Sequence, residues 1–255
     1  MVPVVALLMA GASMTATASP VGGAADRVAM NPRTSFAIVS LIPGMSTGTN
    51  NSNEPRPALS IIKLYLADYV IRYGDRSESD RRSAQRAIQF SDNNAASALD
   101  DKYPGGIDAT AAEFGLAATR RGPFWGQSYT SARDVADFLA AKERVDPFSP
   151  LLNWMADASP VAGDGTVQNW GTSHIPAVIG SKWGWADDRA AAVASASFGP
   201  GFATAAFTYG AAEDENADLA ELTWHQCRCG TYCVVAEPLS VRRSTQVPRP
   251  AALAR

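Results

Sequence analysis

The amino-acid sequence predicts an α+β domain, an antiparallel sheet flanked by helices, and three observations carry that expectation. A short β-type run, residues 34–42 (TSFAIVSLI), comes first. A long middle stretch with apolar residues at helical spacing follows it. Three β-like runs then close the pattern, at residues 177–183, 190–198 and 202–209. The last two are separated by Gly199-Pro200-Gly201, which reads as a hairpin turn. The sheet is therefore expected to be built from both ends of the chain, with a helical part, about residues 75–160, inserted between its strands.

The elements follow in order. Pro43-Gly44 stops the first run, and residues 46–57 form a polar, turn-rich loop. A helix starts near Ala58, after Pro57, and reaches Arg72-Tyr73, where Gly74 can end it. Its apolar positions Leu59, Ile62, Leu66, Tyr69 and Val70 recur at helical spacing, so most of it belongs to the core. Residues 75–82 (DRSESDRR) read as a charged connection. Helices are expected over residues 83–90, 95–102, 107–114 and 131–142. Residues 118–129 and 163–176 are irregular. Residues 213–226 begin a further helix with an acidic first turn, which suits the helix dipole. Residues 227–255 turn Arg/Pro-rich and are read either as a disordered tail or as a shifted reading frame replacing a native helix end.

Apolar residues make up 46% of the 255 and charged residues 18%, enough for a sizeable core and against wholesale disorder. A net charge of −3 without any Lys/Arg-rich tract argues against a nucleic-acid partner. No stretch approaches the ~20 apolar residues needed to span a bilayer. Residues 1–18 (MVPVVALLMAGASMTATA) carry an apolar core and a small-x-small site, Ala16-Thr17-Ala18. That segment reads as an export signal lacking a basic start, or as a buried N-terminal segment, and export places the protein outside the cytoplasm or in the cell envelope. Cys227, Cys229 and Cys233 are too few and too close for a disulfide framework. Together with His225 they match no common zinc spacing, so neither metal nor cofactor is expected.

Three motifs carry chemistry. Ser60-Ile61-Ile62-Lys63 places a serine and a lysine one helical turn apart, roughly 5–6 Å between Cβ atoms, where the amine can take the hydroxyl proton. Ser91-Asp92-Asn93 stands at a later helix start, where Ser91 and Asn93 are also ordinary N-cap candidates. Lys182-Trp183-Gly184 lies on the first of the three later strands, followed by Trp185.

In that order and context the three motifs resemble the Ser-x-x-Lys, Ser-Asp-Asn and Lys-Thr-Gly signatures of class A β-lactamases and penicillin-binding proteins. The resemblance covers residues 34–222. It implies a β-lactamase/transpeptidase-like domain whose Ser60 is the acylated nucleophile and Lys63 its base. Ser91 would relay a proton to the leaving nitrogen, and Asn93 would hold the substrate amide carbonyl and contact Lys63. Lys182 would attract the substrate carboxylate. The backbone N–H groups of Ser60 and Trp185 would form the oxyanion hole beside Gly184. The implied partner is a small β-lactam or a peptidoglycan-type peptide, bound by a monomer.

Three departures qualify the resemblance. Trp183 replaces the small hydroxyl residue, and with Trp185 it leaves the same sheet face, either narrowing the site or packing under a helix. No Glu-x-x-Leu-Asn loop is present: residues 118–129 contain no acid, and the nearest, Glu113 and Asp134, sit in expected helices. Slow release of an acyl group is the consequence. Finally, only 31 positions separate Ser60 from Ser91, which implies a small, trimmed all-helical subdomain. A non-catalytic protein of this fold that binds an envelope partner, and an esterase-like hydrolase, remain alternatives.

Overall fold

A computed structural model describes residues 28–42, 44–226 and 232–235. The three C-terminal runs and the N-terminal run meet in one five-stranded sheet. β1 (Thr34–Ser40), β2 (Ser46–Gly48), β5 (Gly180–Trp185), β6 (Val193–Gly199) and β7 (Phe202–Thr208) lie in the order β2-β1-β7-β6-β5. All pairs are antiparallel, and β1 meets β7 from Thr34 opposite Thr208 to Ser40 opposite Phe202. Two short strands between these, β3 (Arg56–Pro57) and β4 (Tyr129–Thr130), pair with each other.

The strands bury both faces, and their alternation separates two cores. Ala37, Val39, Ala194, Ala196, Phe198, Ala203, Ala205 and Phe207 face the helices. Phe36, Ile38, Phe202 and Ala206 face the other side, with Ile175 and Leu219. Alanines on the first face let α5 (Ala132–Val145) press its Val135, Phe138 and Leu139 close to the sheet. α1 (Lys63–Tyr73), α2 (Glu78–Gln89), α3 (Asn93–Lys102), α4 (Gly106–Phe114) and α6 (Pro150–Ala156) complete that layer. α7 (Ala212–Ala220) and a 3-10 turn at Gly171–His174 cover the opposite face. Among the described residues no helix is long and apolar enough to cross a membrane.

Several elements differ from the sequence expectation. The charged connection is shorter than expected, because Ser77 accepts a bond from the Asp80 N–H and starts α2 at Glu78. The polar loop contributes β2 as an edge strand. α6 has no counterpart in the expected elements. It begins on Pro150 and buries Leu151, Leu152, Trp154 and Met155. The last helix stops at Ala220, and Thr223–Gln226 is instead a strand, β8, paired with β9 (Tyr232–Val235). The expected export segment and most of the Arg/Pro-rich tail fall outside the described residues.

One buried carboxyl joins the covering layer to the sheet. Glu215 of α7 is fully enclosed and bonds the Ser195 hydroxyl, which also accepts from the Thr172 backbone N–H. Gly171, at φ 65°, passes so close to it that an added Cβ would overlap the carboxyl. Burial raises the Glu215 pKa to about 8, against the pull of the Ser195 and Thr208 hydroxyls. The neutral form therefore belongs to the folded state. Between pH about 4.5 and 8 the unfolded chain loses this proton and the folded chain holds it, so stability should fall as pH rises through that window. Glu215→Gln should flatten this slope in urea titrations at several pH values. An unchanged slope would contradict a buried neutral carboxyl.

Candidate active site

Ser60 and Lys63 are carried inward by their neighbours. Ala58, Ile61, Ile62, Leu64 and Tyr65 are all completely buried, so the segment is enclosed on every side and its polar residues go with it. A 3-10 turn over Leu59–Ile62 leads into α1, anchored by the Ala58 N–H on the Ser128 carbonyl, 2.9 Å. Ser60 is 8% exposed and Lys63 1% exposed, so the amine is shut in.

The downstream motifs close on the same lysine. Asp92, not Ser91 or Asn93, caps α3 by accepting from the Ala95 N–H. That leaves Ser91 and Asn93 free to serve other partners. Lys63 Nζ donates to the Ser91 carbonyl oxygen and to Asn93 Oδ1, each at 2.7 Å. Lys182 Nζ donates to Ser91 Oγ at 2.7 Å and to the Trp183 carbonyl at 3.0 Å. Ser91 therefore stands between two lysines, its main chain on one and its hydroxyl on the other. A left-handed backbone at φ 53° turns it this way, and Leu59, beside Ser60, is held at φ 52°. Such conformations are costly for residues with a Cβ and gather at functional sites.

Burial dominates the electrostatics. It lowers the Lys63 pKa to about 7, with Asp92 and Asp164 pulling it back up. The displacement corresponds to about 5 kcal/mol against the charged amine. Burial, and then the nearby Lys63 charge, take Lys182 well below the ordinary lysine range. At neutral pH Lys63 is thus poised between acid and base. Neither lysine donates to Ser60; among the described residues their partners are those named above.

Gly184 joins strand to the Ser60 turn. A Cβ built on it would lie 2.8 Å from both the Ser60 nitrogen and the Leu59 Cβ, so only a glycine lets β5 run against this turn. Trp185 is the next residue, which sets its backbone beside that of Ser60. Trp183 requires a correction. Strand alternation turns it to the face opposite Lys182, where it is buried with Trp170 and Val193. Its indole N–H donates to the Trp170 carbonyl at 3.0 Å, so it packs beneath the turn at Gly171–His174 and leaves no surface for a substrate. Trp185 shares this face, 5.9 Å edge-on to Trp170, and its indole donates to Asp164.

Two neighbours were not foreseen. The Trp125 ring stands 4.4 Å from Lys63 Nζ. Asp164, in the second irregular stretch, is the carboxylate fixed on Trp185. Neither carries a periodic or motif signal in the sequence; loop geometry alone brings them here. The acids nearest the first irregular stretch are engaged elsewhere. Glu113 pairs with Arg72, and Asp134 accepts from the Ala118 N–H and the Thr119 hydroxyl.

Similarity to solved structures places this geometry in a known architecture. A β-lactamase from Streptosporangium roseum superimposes with a TM-score of 0.57 at 17% identity, over 73% of this chain and 90% of that one. A carbapenemase from Vibrio cholerae gives 0.58 at 16%, over 73% and 91%. A D-alanyl-D-alanine carboxypeptidase from Mycobacterium tuberculosis gives 0.53 at 19%, over 77% and 92%. The fold is β-lactamase/transpeptidase-like. No family model matches the chain, and no curated protein does either. Within this fold, Ser60 lies at the head of the first long helix, and Lys182 on an edge strand of the sheet.

Gly184→Ala tests the close approach of strand and turn. The added methyl should destabilise the protein by about 1–3 kcal/mol, as overpacking does, read from its urea midpoint. Unaltered stability would show that β5 is not pressed against the Ser60 turn.

Proposed function

We propose that the protein is an exported serine hydrolase-like acyl-transfer protein that is acylated by a β-lactam or a cell-wall-type peptide and deacylates poorly. The observation that carries this reading is the chain Lys63–Ser91–Lys182, two buried lysines meeting on one serine, the first of them three residues after Ser60. Neutral Lys63 takes the Ser60 proton as Oγ bonds to the substrate carbonyl carbon. The carbonyl oxygen, now negative, lies between the backbone N–H groups of Ser60 and Trp185. When the C–N bond breaks, the proton passes from Lys63 through the Ser91 hydroxyl to the leaving nitrogen. Asn93 orients both Lys63 and the substrate amide, and Lys182 keeps the Ser91 hydroxyl in place. No substrate role falls to the Trp183 side chain, whereas Gly184 admits the strand.

Slow deacylation follows from the absence of an acid in residues 118–129 and the engagement of Glu113 and Asp134. The apolar N-terminal segment supports export, and the protein is proposed to act as a monomer. A second reading, a non-catalytic protein of this fold that binds an envelope partner, is favoured by one observation: Lys63 donates to Ser91 and Asn93 and not to Ser60.

A fluorescent penicillin should label the protein covalently on Ser60, and Ser60→Ala should abolish the label. The labelling rate should rise with pH, with a midpoint near the Lys63 pKa of about 7, because only the unprotonated amine accepts the serine proton. Absence of label on folded protein at millimolar reagent would contradict catalysis and leave the binding protein. Rapid loss of the label would contradict poor deacylation.

A further inference from the structure

The third neighbour of the Lys63 amine is an aromatic ring, held more firmly than packing alone requires. Trp125 is buried, and its ring centre lies 4.4 Å from Nζ. Its indole N–H donates to Ser97 Oγ at 3.0 Å, and its backbone N–H donates to Asp100 Oδ2 at 3.0 Å. Asp100 is itself fixed by Arg121, whose Nη2 lies 2.7 Å away. The following Gly126 sits against the Phe124 ring, and the Ser128 carbonyl receives the Ala58 N–H at the entrance of the Ser60 turn. The loop that carries the indole is thus tied to α3 on one side and to the nucleophile turn on the other.

An ammonium has three N–H groups, and Ser91 and Asn93 take two of them. The Trp125 ring lies over the same amine. Resting on the acyl-transfer reading, we propose that Trp125 is a positioning residue for that reaction. Its indole keeps water off the Lys63 amine, which fixes the pH at which Ser60 is activated and prolongs the acyl-enzyme.

Two effects of the ring oppose each other. Its electron-rich face favours the charged amine, whereas its bulk withholds the water that would stabilise that charge. Burial is the larger influence on Lys63, so removal of the ring should make the amine easier to protonate. The other charges facing Lys63 are Asp92 at the head of α3, Asp164 of the loop on Trp185, and Lys182 of β5. None of them changes when the ring is removed. Deacylation needs a water whose oxygen bonds to the acyl carbon while the C–Oγ bond breaks and a proton returns to Ser60. A ring against the amine denies that water a place beside the base.

The chain has four lysines, so protein labelled with 13C at lysine Cε yields few signals, and Lys63 can be titrated by NMR without any substrate. Trp125→Ala should raise its midpoint by about one pH unit or more, and Trp125→Phe, which keeps a ring there, should restore it. The same variants should displace the pH profile of penicillin labelling in parallel. The label's lifetime should shorten on the order of tenfold in Trp125→Ala alone. Should Trp125→Ala fail to fold, Ser97→Ala, at an exposed helix position, loosens the indole and should move the midpoint in the same direction by less.

An unchanged Lys63 midpoint in folded Trp125→Ala, or in Ser97→Ala where only that variant folds, would overturn the proposal. So would a label that persists as long as in the parent protein. If the parent protein takes no label at all, the acyl-transfer reading fails, while the NMR titration still decides whether Trp125 governs the amine.

Discussion

Two lysines are held inside this protein with their amines converging on one serine, and that arrangement constrains everything around it. An unpaired buried ammonium costs several kcal/mol, so each amine must be satisfied by protein atoms or lose its proton. Both outcomes are in play. Lys63 is satisfied by Ser91, Asn93 and the Trp125 ring, yet burial still brings its pKa to about 7. Burial, and then the neighbouring Lys63 charge, likewise take Lys182 well below the ordinary lysine range. The left-handed turn at Ser91, the Asp92 cap that frees its neighbours, and the glycine that admits β5 against the Ser60 turn all serve this convergence.

The sheet was legible in the sequence because its strands are short β-type runs bounded by turn residues, Pro43-Gly44 after the first and Gly199-Pro200-Gly201 between the last two. Ala203, Ala205 and Phe207 go to the helices, and Phe202 and Ala206 to the opposite face. The helix that carries Ser60 was legible for the same kind of reason, an apolar pattern closed by Pro57 and Gly74. α6 was not, because seven residues starting at Pro150 give too few turns for a periodic signal. The start of α2 was hidden by charge: Glu78 and Asp80 look like a solvated link until Ser77 is seen capping them.

At the candidate site the motif residues were readable and their surroundings were not. Lys63, Ser91, Asn93 and Lys182 are joined by hydrogen bonds in the structure. Trp125 and Asp164 arrive on irregular loops, where no periodicity connects position to place. Trp183 was ambiguous for a plainer reason. Alternation fixes which face a strand residue takes, but only the fold shows that this face is covered by Trp170 and the Gly171–His174 turn.

The architecture is shared with β-lactamases and a D-alanyl-D-alanine carboxypeptidase at 15–19% identity, and at that distance it carries the fold and leaves the chemistry to the site. The reading proposed for that site is acylation without efficient turnover. Burial holds Lys63 at a pKa of about 7, and Glu113 and Asp134 are bound to other partners. The most direct measurement is a crystal structure of the protein after exposure to a penicillin. The account predicts continuous density from Ser60 Oγ to the opened ring's carbonyl carbon, with the carbonyl oxygen between the amides of Ser60 and Trp185. An unmodified Ser60 in crystals of fully exposed protein, or density joined to another side chain, would contradict it.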